Sequence, residues 1–214
     1  MNFESNKTLG GLGAVLMFLG AIPIQYFGFL SIVGLILLII ALHGLAEIYK
    51  ERGIFNNFMY GVAAGIVGGV IAAALIIVTV LTTLTTLLYQ IFPGWNGDWY
   101  TLSSLTPDLS NITPGDFMPL IGGMLSVFAI IWVALIISSF FVRRSMNSLS
   151  AKTGVGLFST AGLLLIVGAF LAIVLIGFLV IWIAILLIAI AFFQIKTQPD
   201  YSVATPQPQP PPPT

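Results

Sequence analysis

The sequence predicts an all-α, polytopic integral membrane protein with six transmembrane helices and both termini in the cytoplasm. Three observations carry this. Apolar residues make up 58% of the 214, charged residues only 7%, and the mean hydropathy is +1.10. A soluble domain carries about 25% charged residues, so this chain has too few to cover a surface facing water. The apolar residues gather in four long blocks, and the seven Lys and Arg residues fall between alternate spans. No alternating strand pattern suggests a barrel, and lipid leaves an unpaired backbone group unsatisfied, so the spans are helices.

Length sets the count. A hydrocarbon core of about 30 Å takes about 20 helical residues. Residues 9–46 are too many for one span and suit two, roughly 9–24 and 28–49. Pro23, Gln25, Tyr26 and Gly28 supply the turn between them. Residues 60–88 form one long span. An outer loop, 91–117, follows, opened by the interfacial aromatics Phe92, Trp95, Trp99 and Tyr100. The fourth span is 119–142, with Pro119 in its first turn, where the missing N–H does no harm. The last block again needs two spans, 157–175 and 178–195, turning at Gly177. Residues 197–214 form a Pro-rich, disordered cytoplasmic tail ending in an extended polyproline-like run.

With six spans, Lys7, Lys50, Arg52, Arg143, Arg144, Lys152 and Lys196 all lie on one side, which reads as positive-inside in the plasma membrane. Asp98, Asp108 and Asp116 lie outside, beside the sequon that makes Asn111 a candidate for glycosylation. The N-terminus lacks the pattern of a cleaved signal peptide, so the first span is expected to be retained. A formal net charge of zero argues against nucleic acid as a partner. With no cysteine, thiolate metal sites, iron–sulfur clusters and disulfides are excluded.

Two polar features stand out. His43 is the only histidine and shares a helix face with Glu47, four residues on, just before Lys50, Glu51 and Arg52. Here Gly53 is expected to stop the second helix and Asn56 or Asn57 to cap the third. The pair reads as a helix end at headgroup level, with Glu47 paired and His43 hydrogen-bonded to a neighbouring helix. The competing reading is a proton-carrying pair. The second feature is Thr79, Thr82, Thr83 and Thr86, repeated at helical spacing. Their hydroxyls either bond back to the preceding turn or line a solute path. Gly61, Gly65 and Gly69 form a small-residue ridge along the same helix, suited to a neighbouring helix, a membrane-protein partner or a second copy.

The stretches ESNKTLGG, ALHGLAEIYKERGIFNNFMYG and LFSTAGLLLIVGAF to IAFFQIK resemble a family of mostly archaeal membrane proteins catalogued as domain of unknown function 996. The resemblance covers most of residues 3–196 and implies an integral membrane protein of archaeal origin. It carries over no catalytic residue.

No catalytic, cofactor or metal set is expected, and lipid is the expected partner. No Asp, Glu, Lys or Arg lies in the middle third of any span, where charges normally mark ion and proton paths. The sequence therefore favours a non-catalytic scaffold, assembly factor or accessory subunit of a membrane complex. The alternative is a channel or carrier for a small neutral or apolar solute lined by the threonines. A membrane enzyme would need paired carboxylates, a histidine cluster or a serine with its base.

Overall fold

A computed structural model describes residues 2–22, 27–110 and 112–196. Among them every regular element is helical: α1 (Phe3–Gly20), α2 (Gly28–Ile48), α3 (Arg52–Ile91), α4 (Met118–Thr153), α5 (Leu157–Leu171) and α6 (Ile176–Gln194). Five segments are long and apolar enough to cross a membrane: α2, α3, α4 with its preceding turn, α5 with its following turn, and α6. The first helix does not reach that standard. It begins at Phe3 instead of residue 9, so a polar turn of Glu4, Ser5, Asn6 and Lys7 occupies part of its 18 residues. Pro23, Gln25 and Tyr26, Asn111 and the Pro-rich tail lie outside the described residues.

Helix lengths divide the bundle. The 40 residues of α3 rise about 60 Å and the 36 of α4 about 54 Å, while the 18 to 21 of α1, α2 and α6 rise only about 27 to 32 Å. Both long helices exceed the predicted spans because polar turns extend them, at 52–59 in α3 and 143–153 in α4. The fully buried side chains Leu42, Leu45, Ile54, Met146, Phe158 and Phe192 come from the end of α2, the start of α3, the end of α4, the start of α5 and the end of α6. The core therefore sits at one end of an up-and-down bundle. Phe158 and Phe192 meet there edge to face, with centroids 5.1 Å apart.

Away from that end, α3 and α4 pair mainly with each other. A third of the most apolar stretch of α2 or α6 is buried, against 11% for α3 and 6% for the α4 segment. The pair closes through small residues. A β-carbon on Gly61 would stand 2.8 Å from Val142 Cγ2 and 3.0 Å from the Ser138 carbonyl. One on Gly68 would overlap the β-carbon of Ala134. Gly69 faces away, with nothing within 4 Å of such an atom, and Gly65 meets only Ser138 Oγ at 3.9 Å. The expected ridge of Gly61, Gly65 and Gly69 is thus corrected to Gly61, Gly68 and Ala72, all buried.

The other helices use the same device. Gly13 of α1 faces Gly34 of α2, where an added β-carbon would lie 2.7 Å from the Gly34 carbonyl. Gly168 and Gly177 bring α5 against α6. Gly177 is therefore a close-approach residue inside α6 and not the turn. The turn is the 3₁₀ segment Ala172–Val174 and Leu175, whose φ is +64°. Two indoles pin helices across the bundle. The Trp132 N–H donates to the Ala169 carbonyl and the Trp182 N–H to the Phe18 carbonyl, each at 3.0 Å.

Gly68→Leu is expected to destabilise the protein by roughly 1–3 kcal/mol through overpacking against Ala134. Gly69→Leu should be neutral or slightly stabilising, since leucine is the better helix former. Thermal unfolding in detergent, followed by far-UV circular dichroism, checks the pair. Equal losses for both would contradict the observed face.

Candidate functional site at the α2–α3 turn

The segment 43–56 holds the densest polar chemistry of the chain, and its local structure differs from the expected one. Helix α2 ends at Ile48 because Lys50 turns left-handed, with φ +51°. The Lys50 and Glu51 amides then donate to the Glu47 and Ala46 carbonyls, satisfying the last turn of α2. Gly53 is not the stop; it lies in the first turn of α3. Neither Asn56 nor Asn57 caps that helix. Glu51 does, its carboxylate accepting the Gly53 N–H at 3.3 Å. The other carboxylate oxygen of Glu51 pairs with Lys152 Nζ in the last turn of α4, 3.6 Å away. One acid therefore caps α3 and ties α3 to α4. Beside it the buried Ser145 hydroxyl of α4 donates to the Ile54 carbonyl.

His43 and Glu47 do come together. His43 Nε2 lies 3.5 Å from Glu47 Oε1, within one helix, and both side chains are more than half exposed. The expected hydrogen bond from His43 to a neighbouring helix is replaced by a ring contact, with the imidazole edge-on to Phe55 of α3 at 4.8 Å. His43, Glu47, Lys50, Arg52, Phe55 and Asn56 line a cavity of about 630 Å³. Lys50 and Arg52 make no ion pair among the described residues. Also among the described residues, no three His, Cys, Asp or Glu converge as a metal set would require.

The threonines split by face. Thr82, Thr85 and Thr86 are exposed and donate back to carbonyls one turn earlier, at 2.7 to 2.9 Å. Thr79 packs on Gly123 of α4. Thr83 is buried, and its hydroxyl has no partner among the described residues. At the far end of the hairpin Trp95, one of the aromatics expected at the interface, is buried. Its ring packs tilted against Tyr89 and edge-on against Trp99, and its N–H donates to the Asp98 carbonyl. Gln90 closes the hairpin by donating to Asp116, whose carboxylate also accepts from the Thr113 amide. Nearby, the Ser110 hydroxyl, then its amide, hold the exposed Asp108 carboxyl below the usual carboxylate range.

Sequence reasoning missed Glu51–Lys152, Ser145 and Asn6. Asn6 of α1 is buried against Gly44 of α2 with its side-chain oxygen unpaired among the described residues. It also missed the two indole pins, although a tryptophan in mid-span carries an N–H that lipid cannot satisfy, and that marks Trp132 and Trp182 as contact points.

This architecture defines an all-helical membrane protein built from apolar helices. The chain belongs to the family described as Protein of unknown function (DUF996), which matches residues 30–186. It is similar to the uncharacterized protein MJ1644 of Methanocaldococcus jannaschii, with 28% identity over 195 residues, covering 91% of this chain and 94% of that protein. No solved structure matches.

Glu51→Ala removes a cap and an ion pair together and should cost about 1–2 kcal/mol. Lys152→Met, which leaves the cap, should cost less than about 1 kcal/mol. His43→Gln, at an exposed position, should stay within about 0.5 kcal/mol of wild type. Thermal unfolding of the three variants checks the order, and a His43→Gln loss matching Glu51→Ala would contradict it.

The lowered Asp108 carboxyl stabilises the loop above its unfolded value, and that contribution is lost as pH falls through the lower folded value. Ser110→Ala should therefore move the Asp108 titration midpoint upward, read by carboxyl-carbon NMR. An unchanged midpoint would show that Ser110 is not the cause.

Proposed function

We propose that this chain is a non-catalytic integral membrane protein of six spans, acting as a scaffold, assembly factor or accessory subunit of a complex in the plasma membrane. The observation that carries the proposal is the α3–α4 hairpin. Its apolar stretches are 11% and 6% buried inside the chain, against 33% in α2, α5 and α6. Its distal faces expose Ile76, Ile77, Leu81, Met124, Leu125 and Phe128. A hairpin anchored at one end and unpaired where it outruns the shorter helices is suited to another membrane protein. The threonines support this reading over a solute path, because Thr82, Thr85 and Thr86 spend their hydroxyls on their own helix.

In this reading α1 serves as the sixth span, and the turn holding Lys50 and Arg52 lies in the cytoplasm with both termini. Single cysteines at Ser5 and Ser148 should then resist an impermeant thiol reagent in intact cells, while one at Ser103 reacts. The chain has no cysteine of its own, so the background is clean. Labelling at Ser148 but not Ser103 would invert the topology. Purification from native membranes in mild detergent should yield a defined hetero-complex, and recovery as a lone monomer would contradict the scaffold role.

A further inference from the structure

Between α3–α4 and the two flanking hairpins lies a half-open cavity of about 390 Å³. Leu38, Phe58, Gly65, Leu135, Ser138 and Ile188 line it, with contributions from α2, α3, α4 and α6. Its size falls within the range of roughly 300–1,000 Å³ usual for ligand sites. Its wall is almost wholly hydrocarbon. Ser139 donates back to the Leu135 carbonyl, and Ser138 makes no hydrogen bond among the described residues. Water would find too few partners there. Ile66, 61% exposed, stands on its rim, so the cavity opens toward the surrounding lipid.

The polar cavity of the α2–α3 turn lies next to it along α3. Phe55 lines the polar cavity and Phe58 the apolar one, a single helical turn apart on α3. Ten residues separate Phe55 from Gly65, a rise of roughly 15 Å, which is the depth of one leaflet of hydrocarbon about 30 Å thick in all. At the upper level stand Lys50 and Arg52, two cations without a carboxylate partner among the described residues; Glu47 beside them is engaged with His43.

We infer that these two neighbouring cavities form one groove that binds a lipid of anionic headgroup, its phosphate held by Lys50 and Arg52 and one hydrocarbon chain filling the cavity beside Gly65. Chain and head have separate determinants, so they can be removed separately. Gly65→Leu puts a side chain into open space, since only Ser138 Oγ lies within 4 Å of its added β-carbon. Gly69→Leu adds the same side chain one turn on, where nothing lies within 4 Å and no wall of the cavity is touched. Lys50→Gln and Arg52→Gln act on exposed side chains.

The test is electron paramagnetic resonance of chain-labelled phosphatidylglycerol and phosphatidylcholine in nanodiscs holding the full chain. Wild type should show about one strongly immobilised phosphatidylglycerol per chain, preferred over phosphatidylcholine, with each removed cation weakening the preference by roughly fivefold. Gly65→Leu should lose the immobilised component and Gly69→Leu should keep it. An immobilised component that survives Gly65→Leu, or equal binding of the two headgroups by wild type, overturns the inference. Should Gly65→Leu fail to fold, the two glutamine variants still decide it through the headgroup preference.

Discussion

The approach of α3 to α4 along Gly61, Gly68 and Ala72 is the contact on which the rest of the bundle depends. In lipid no hydrophobic force draws apolar helices together, so association rests on close packing and polar pins. A glycine lets a neighbouring backbone or β-carbon enter the space a side chain would fill. Here Ala134 and Val142 of α4 take that space. Beyond Ala72 the long helices outrun the shorter ones, and there, among the described residues, α3 and α4 hold mainly each other. Thr79 against Gly123 extends the seam toward the loop, and Gln90 to Asp116 closes its end.

The polar groups follow the same economy. In the spans Thr82, Thr85, Thr86, Ser126, Ser139, Trp132 and Trp182 donate to backbone carbonyls, which need no charged partner. Charges keep to the start of α1, the turn at 47–52, the 91–117 loop, the end of α4 and the residues after α6, and Glu51 joins a helix cap to an ion pair. One end of the molecule is thus a packed core beneath a charged turn; the other is an apolar hairpin with little inside the chain to cover it. That polarity suits a protein that is held in the membrane at one end and engages something else along its length.

The membrane class and the helical segments were legible because hydropathy and length are blunt signals, robust to a shift of several residues. Helix ends were not. Lys50 and Leu175 adopt left-handed conformations that sequence assigns to glycine, so Gly53 and Gly177 drew the stops that belong to their neighbours. The helix seam was misread for a geometric reason. Steps of four residues drift by about 40° each on a helix of 3.6 residues per turn, so Gly69 stands about 80° round from Gly61. The 4-3-4 spacing of Gly61, Gly65, Gly68 and Ala72 stays on one face, and that pattern was present in the sequence. Spacing put His43 and Glu47 on one face, whereas Lys152 reaches Glu51 across a hundred residues of chain, and no local pattern reports that.

The central claim is that Gly68, not Gly69, faces Ala134. Because the chain has no cysteine, paired substitutions test this directly. Gly68→Cys with Ala134→Cys and Gly69→Cys with Ala134→Cys would each be oxidised in native membranes, cleaved in the 91–117 loop, and analysed without reductant by mass spectrometry. The Gly68 pair should hold the two fragments together and the Gly69 pair should release them. Linkage by the Gly69 pair alone would contradict the account.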